Sequence, residues 1–536
     1  MRSICSAVGS SFIRSLPLDW LKNAIKSISP LQALVALVGF GVVARALLPS
    51  DSLKKSSDPE QAQSEKRAAQ GDAESQFMLG RAYHLGTGMP KDPAKAIESY
   101  EKAAAQGHAK AQYNLGLMYT DGSVPKDYEW ALEWFKKAAT QGDAKALYML
   151  ASMYYNSMGV PKDREKADDL YKKAAAQGQL QKGAAEGDAE SQSMLGRLYE
   201  LGAGVPKVDA KAIELYEKSA AQGNAYAQYR LGYIYEDGGR GVPKNDEKAV
   251  AWYQKAAAQG NAYAQNNLGL MYYNGTGVPK NDEKAFEWIQ KAAAKGDALA
   301  QATLGRMYED GIGISKNDAK AVEWYQKAAL QGYSHAQYNL GVMYQNARGV
   351  PKDDEKAVEW YRSAAAQGVA DAQYNLGVMY ANGSGVRKDD ATAFEWFNKA
   401  AAQGDANAQT EVGRAYLLAI GVKKDEVKSA EWFEKAAAQG CASAEYYLAM
   451  MYLNAWGVPK NKAKASNLLE SAANRGLPEA KKALAALNGN EVPSFNQSGI
   501  FGSSNQIESY GSRRQKSIFK AQIAGKMGAM GIPMPP

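Results

Sequence analysis

Cysteine is nearly absent: 536 residues hold only Cys5 and Cys441, which excludes a disulfide framework and leaves the redox compartment open. Histidine is almost as scarce. His84, His108 and His335 fall on unrelated phases of the chain with no acidic or cysteine partner at ligand spacing, so no metal site is expected. No nucleophile elbow of the G-x-S-x-G type and no G-x-x-x-x-G-K-[ST] phosphate loop occurs. The stretches GTGVPK from Gly275 and GSGVRK from Gly383 share only glycine content with a phosphate loop, and they stand between two helical segments. Acidic pairs such as Asp353 with Asp354 recur in nearly every such loop, which suits helix caps and not an acid and base. Neither catalysis nor a cofactor is expected.

Charge of one sign is also missing where it would matter. Of the formal +7, residues 1–50 contribute +4, through Arg2, Arg14, Lys22, Lys26 and Arg45 against Asp19. Residues 489–536 contribute +3, through Arg513, Arg514, Lys516, Lys520 and Lys526 against Glu491 and Glu508. The 438 residues between are neutral, which argues against a surface that tracks phosphates and hence against a nucleic-acid partner.

What the chain has in abundance is repetition. KAVEWYRSAAAQG at 356–368 is nearly matched by KAVEWYQKAALQG at 320–332 and KAVAWYQKAAAQG at 248–260. The glycine that closes this motif recurs at Gly223, Gly260, Gly296, Gly332, Gly368, Gly404 and Gly440, mostly 36 residues apart, the signature of stacked repeats. In the second half of a unit, Ala357, Trp360, Tyr361, Ala364 and Ala365 fall on one helical face; in the next first half, Ala372, Leu376, Gly377, Met379 and Tyr380 fall on another. Each unit therefore reads as a helical hairpin. Asn281 is placed to cap a second helix, with Asp282 and Glu283 in its first turn, where the macrodipole favours acids. A glycine recurs inside the first helix, at Gly232, Gly269, Gly305, Gly341 and Gly377. Mid-helix glycine costs ~1 kcal/mol relative to alanine, so a neighbouring helix is expected to pass very close there. The 45-residue step from Gly142 to Gly187 contains QKGAAEG, an echo of QKAAAQG, and reads as the remnant of a shortened repeat that introduces a kink or loop.

The pattern A-x-x-x-L-G-x-x-Y, then G-x-G-V-P-x-D, then A-x-x-W-[YF]-x-x-A-A-x-x-G resembles the Sel1-like repeat, a relative of the tetratricopeptide repeat. The resemblance covers residues 65–488, about eleven units with a helical end at Leu477 to Leu487. Departures are local: Ala151 and Ala449 replace the first-helix glycine, and Ser315, Arg387 and Lys423 replace the loop proline. The resemblance implies an all-α, right-handed superhelical α-solenoid over 51–488 with no catalytic role. The family supplies adaptors in membrane-associated quality control and in bacterial signalling or host interaction. Its cysteine-rich branch, with a disulfide in each repeat, does not include this chain.

Two expectations about side chains follow. The repeated tryptophans, Trp360 among them, are read as core filling between hairpins, so that Trp360→Ala costs about 3–5 kcal/mol, with Glu359 left on the surface. First helices line the inner side of the ribbon by analogy with the tetratricopeptide relatives. There Gln112 with Asn114, Gln228 with Arg230, Gln265 with Asn267, Gln337 with Asn339, and Gln373 with Asn375 form a ladder of polar groups. Such a ladder suits the backbone of an extended peptide, with Tyr113, Tyr229, Tyr338 and Tyr374 offering side-chain contacts. The partners are therefore other proteins or peptides.

The ends differ from the body. Residues 31–48, LQALVALVGFGVVARALL, would rise ~27 Å as a helix, just short of a hydrocarbon core. Before them, Ile13, Leu16, Trp20, Leu21, Ala24, Ile25 and Ile28 form one apolar face, as in an interfacial helix. Residues 1–50 are read as an anchor or targeting segment, with membrane contact through 12–48. Ala44-Arg45-Ala46 leaves open a cleavage site and a soluble exported product. Residues 489–536, rich in Gly, Ser, Asn and Gln, read as a flexible basic tail. Its segment 512–527 suits either solubility or docking on a partner or anionic membrane.

Overall fold

A computed structural model of the chain describes residues 65–121 and 123–489; the apolar segment 12–48 and the tail 490–536 lie outside them. Every regular element among the described residues is helical. The chain divides into two compact units, Met1–His108 and Ala109–Pro536. In the first, a helical stretch at 65–69 precedes one hairpin, Ala73–Leu85 with Pro93–Ala105. In the second, antiparallel hairpins succeed one another from Ala109–Asp121 with Tyr128–Thr140 to Ala442–Asn454 with Lys462–Asn474, and Pro478–Asn488 closes the stack. This is the repeated-hairpin α-solenoid expected from the sequence.

Local chemistry sets the helix ends. Asn281 accepts from the Lys284 N–H at 2.8 Å and Asp353 from the Lys356 N–H at 2.9 Å, so the loop acids and amides are N-caps. Second helices stop at a glutamine followed by glycine in the left-handed region, as at Gly368 with φ 88°.

The glycine inside the first helix meets the second helix of its own hairpin. A Cβ on Gly341 would lie 2.5 Å from the Tyr361 ring, and one on Gly377 would lie 2.7 Å from Phe397. The aromatic ring occupies the notch that the missing side chain leaves. Gly341→Ala is expected to displace Tyr361 and cost about 1–3 kcal/mol, read as a lower urea midpoint with unchanged helix content by circular dichroism.

That geometry corrects the role of tryptophan. Tyr253, Tyr325, Tyr361 and Phe433 are fully buried, whereas Trp252, Trp324, Trp360 and Trp432 are half-buried. Adjacent residues on a helix point ~100° apart, so only one of the pair can enter the notch. The tryptophan sits at the flank and packs against the core of the preceding hairpin: Trp396 against the cluster holding Tyr361, and Trp360 against the one holding Tyr325. Its outer face carries a lysine in several units, with Lys327 Nζ 3.9 Å from the Trp324 ring and Lys399 Nζ 3.9 Å from Trp396. Glu359 is exposed, as expected.

The long step between Gly142 and Gly187 contains a separate short helix, Gln179–Ala185. Gln192 donates to Ala184 O at 3.1 Å, just as Gln265 donates to Ala257 O at 3.0 Å, so the short helix occupies the place of the last turns of a second helix. It is a half-repeat whose first helix is gone.

A candidate partner-binding face on the first helices

The glutamine ladder is inside the hairpins. Gln112, Gln228, Gln265, Gln337 and Gln373 are 5–7% exposed. Gln228 donates to Ala220 O at 3.1 Å, at the end of the preceding second helix, and accepts from Gln259, the terminal glutamine of its own second helix, at 2.8 Å. Gln337 and Gln373 repeat both bonds, with Ala329 and Gln367, and with Ala365 and Gln403. Gln112 accepts from Gln141 at 2.7 Å. Gln228, Gln337 and Gln373 thus each join three helices and act as staples within the stack, while Gln265 makes only the bond to the preceding second helix. Substitutions along the chain respect the same logic. Where Lys295 stands in place of the terminal glutamine, it reaches Gly260 O at 2.6 Å; where Glu445 stands in place of the first-helix glutamine, Arg475 replaces its partner at 3.6 Å.

The companion residues have other fates. Asn114 donates to Lys110 O at 2.8 Å and Asn267 to the Tyr253 hydroxyl at 3.0 Å. Asn375 is buried within reach of the Tyr361 hydroxyl, and Asn339 is half-buried. Arg230 is 1% exposed and paired with Glu200. Tyr113, Tyr229 and Tyr338 are buried and Tyr374 is half-buried; Tyr338 packs on Tyr361 and Tyr374 on Phe397. The tyrosines are therefore largely committed to the core.

Comparing the first helices with one another separates packing from recognition. Counted from Ala225, Ala262, Ala298, Ser334 and Ala370, the third, fourth, seventh and eighth residues hardly change: alanine, glutamine, leucine, glycine. The second and ninth change most, while the sixth is asparagine in three of the five hairpins. The second residue is Tyr226, Tyr263, Leu299, His335 and Asp371; the sixth is Arg230, Asn267, Thr303, Asn339 and Asn375. Spacings of four and three place these positions on one helical stripe. Along this stripe the second residues are half-buried, whereas Arg230, Thr303, Asn375, Arg306 and Val378 are buried. The asparagines and Arg230 lie on this stripe, while the glutamines, two residues earlier, are rotated ~200° from it and cannot face the same ligand. The sequence held this signal in the comparison of unit with unit.

The N-terminal end of the stripe is its more open part. Tyr226, Tyr263, Leu299, His335 and Asp371 are all half-buried. Tyr226 and Tyr263 flank Tyr229, with ring centroids 6.3 and 5.8 Å away, and Tyr333 lies 5.8 Å from His335. Burial pushes the His335 imidazole below its usual range, so it is neutral at pH 7. Burial raises the Asp297 carboxyl despite its hydrogen bond from Ala300 N–H. The stripe is thus aromatic, weakly charged at its centre and able to stack on a ligand.

Deeper along the stripe lie ion clusters that the sequence reading did not find. Glu200 accepts from Arg197 at 2.8 Å, from Arg230, from the Tyr216 hydroxyl at 2.8 Å, and pairs with Arg240 at 2.9 Å. A similar cluster recurs three repeats later, without a counterpart of Arg230: Glu309 accepts from the Tyr325 hydroxyl at 2.6 Å and from Arg348 at 2.8 Å, with Arg306 at 3.8 Å. In both, R-x-x-E on a first helix is followed about 40 residues later by R-G-V-P in the next loop, a spacing that would have revealed it. Among the described residues no group of three or more His, Cys, Asp or Glu is arranged to hold a metal ion. His108 does pair with Glu74, at 3.0 Å, an acidic partner its sequence spacing did not suggest. No helix among the described residues is long and apolar enough to cross a membrane.

Comparison with known proteins gives the same architecture. Eleven segments match the Sel1 repeat family: 73–108, 109–143, 144–179, 189–224, 225–261, 262–297, 298–333, 334–369, 370–405, 406–441 and 442–477. Residues 180–188, which hold most of the half-repeat helix, fall between two of them. The solved structure of c5321, a protective antigen of uropathogenic Escherichia coli with an SLR fold, is 33% identical over 88% of this chain and 97% of its own, with a TM-score of 0.53. A Sel1 repeat protein from Oxalobacter formigenes is 39% identical over 58% of this chain and 89% of its own, with a TM-score of 0.45. A comparison with curated proteins finds none that matches. The chain belongs to the Sel1 repeat family, whose stacked hairpins serve as protein–protein interaction scaffolds.

Proposed function

We propose that the chain is a non-enzymatic scaffold that holds partner proteins, or extended peptides, along the varied stripe of its first helices, and that residues 12–48 tether it to a membrane. The observation that carries the first part is the contrast on one helix: invariant residues are consumed by packing, while Tyr226, Tyr263, His335 and Asp371 vary at one register and stay half-buried. Aromatic side chains supply large contact area at small entropic cost, which suits them to anchor a peptide. Proximity labelling from the repeat body would name the partners. The variant Tyr226→Ala/Tyr263→Ala/His335→Ala is then expected to weaken the principal partner at least about tenfold, a modest loss for three interface residues, while it keeps the helix content of wild type by circular dichroism. Unchanged affinity would remove the stripe from the interface.

The tether has its own test. Carbonate-resistant membrane association of the full chain, lost on deletion of residues 12–48, is the expected result. A soluble mature form starting after Ala46 would instead support export and with it the second reading, an exported regulator that restrains a signalling or secretion component. The small-x-small triplet Ala44-Arg45-Ala46 and the description of one relative as a protective antigen favour it.

A further inference from the structure

In a stack of hairpins each repeat touches its neighbours, and bonds that skip a repeat are not expected. One set does so here. The Tyr113 hydroxyl donates to Glu190 at 2.6 Å, across 77 residues and past the whole hairpin Ala144–Asn156 with Arg164–Ala176. Lys145, at the start of the skipped hairpin, pairs with the same Glu190 at 2.6 Å and with Asp188 at 2.9 Å. Glu190 and Asp188 belong to the first turn and N-cap of Ala189–Leu201, the helix that follows the half-repeat.

The half-repeat lies between the two. Its seven-residue helix Gln179–Ala185 stands where other hairpins have thirteen residues, and the next first helix packs on it while touching Ala144–Asn156, as neighbouring first helices do elsewhere in the stack. The contact is tight at Gly183, where an added Cβ would lie 2.5 Å from Ser191 Oγ; the matching residue in an ordinary unit is alanine, as at Ala256. Gln179 also replaces a staple. Leu147 stands where the ladder has glutamine, and Gln179 instead donates to Gly142 O at 3.0 Å and accepts from Ala144 N–H at 3.2 Å. The joint therefore lacks one amide bridge of the regular stack and has an ion-paired bridge in its place. The charged groups remain partly solvated: the side chains of Lys145, Asp188 and Glu190 are 28%, 42% and 35% exposed. Ion pairs of that exposure hold their geometry only weakly and respond to salt. All three lie at the N-terminal end of first helices, and Lys145 and Glu190 occupy the second position, the register of Tyr226 and Tyr263.

We infer that the half-repeat is a hinge and that Tyr113, Lys145, Asp188 and Glu190 form a clasp across it, closed when the ion pairs are made and open when they are broken. Opening separates the first-helix stripe of hairpin 109–143 from that of hairpin 189–224 and widens the face available to a partner there. This consequence rests on the binding role given to the stripe; the motion does not.

The test measures distance in the full chain, with Cys5→Ser and Cys441→Ser, and spin labels on Glu133→Cys and Glu217→Cys, both exposed and on second helices either side of the joint. The wild-type clasp is expected to give one narrow distance at low salt. Lys145→Met and Glu190→Gln are each expected to lengthen or broaden it by about one helical turn, ~5 Å. Lys145→Arg is expected to keep the wild-type distribution. Raising salt from about 0.01 to about 1 M, which shortens the Debye length from ~30 to ~3 Å, is expected to shift wild type towards the variants. Should the variants fail to fold, as circular dichroism would show, the wild-type salt series decides alone. A distribution that moves with neither substitution nor salt overturns the hinge, whether or not the stripe binds a partner.

Discussion

Tyr361→Ala is expected to cost about 3–5 kcal/mol, and Trp360→Ala only about 1–2 kcal/mol. The difference follows from where each ring ends. Tyr361 is fully buried in the notch made by Gly341, packed on Tyr338, with its hydroxyl donating to Gln345 at 2.7 Å. Its removal leaves a cavity between two helices that cannot close, because the backbone at Gly341 offers no side chain to move in. Trp360 is half-buried at the seam with the preceding hairpin, and its loss exposes an edge without opening a void. A solenoid loses stability locally, so the measurement is hydrogen exchange resolved by helix, alongside the urea midpoint. Tyr361→Ala is expected to speed exchange in Ser334–Gln345 and Asp354–Ala366 first. Equal losses at the two positions would return the tryptophan to the core.

The hydroxyl term is separable. Tyr361→Phe is expected to lose about 1 kcal/mol. The chain carries its own control: the Tyr216 and Tyr325 hydroxyls each find an acceptor sixteen residues earlier, at Glu200 and Glu309, and the notch residue is a phenylalanine at Phe397 and Phe433, where those positions are Ala381 and Leu417. In these four hairpins acceptor and hydroxyl come and go together, whereas the buried Tyr100 hydroxyl, in the notch of Gly80, has no hydrogen-bond partner.

Much of this was legible in the sequence. A period of 36 residues, capping loops and a glycine inside the first helix predict hairpins that approach closely, and the structure has them. Tryptophan misled because size and repetition suggest a core residue, while the notch is a matter of helical phase that two adjacent aromatics leave ambiguous. The glutamines misled because polarity suggests a surface; their burial depends on carbonyls left open at the end of a preceding helix, a tertiary fact no single unit displays. Reading unit against unit would have distinguished them from Tyr263, Leu299, His335 and Asp371, which change at one register. The half-repeat was visible as QKGAAEG, but the bridge from Tyr113 to Glu190 depends on how far the next helix swings.

Glu200→Gln is expected to cost about 3–5 kcal/mol at pH 7, the loss typical of removing one partner from a buried ion pair. Glu200 is 5% exposed and is the carboxylate shared by Arg197, Arg230 and Arg240, so the amide leaves three guanidiniums facing one another. Burial alone would raise its pKa, but the guanidiniums outweigh burial and hold it at about 2. The sign of the pH dependence follows. A carboxylate whose folded pKa lies below its unfolded value stabilises fully above the unfolded value, near 4.5, and loses that stabilisation as pH falls towards 2. Glu236 and Glu411 act oppositely, since burial raises both, so wild type alone mixes the two signs. The difference between wild type and Glu200→Gln isolates the one group. That difference in unfolding free energy is expected to be constant from pH 7 down to about pH 5. It should then shrink by up to about 3 kcal/mol as pH approaches 2. The urea midpoints of both proteins across this range measure it. A gap that persists unchanged at pH 3 would mean that Glu200 acts through its shape and hydrogen bonds and not through its charge.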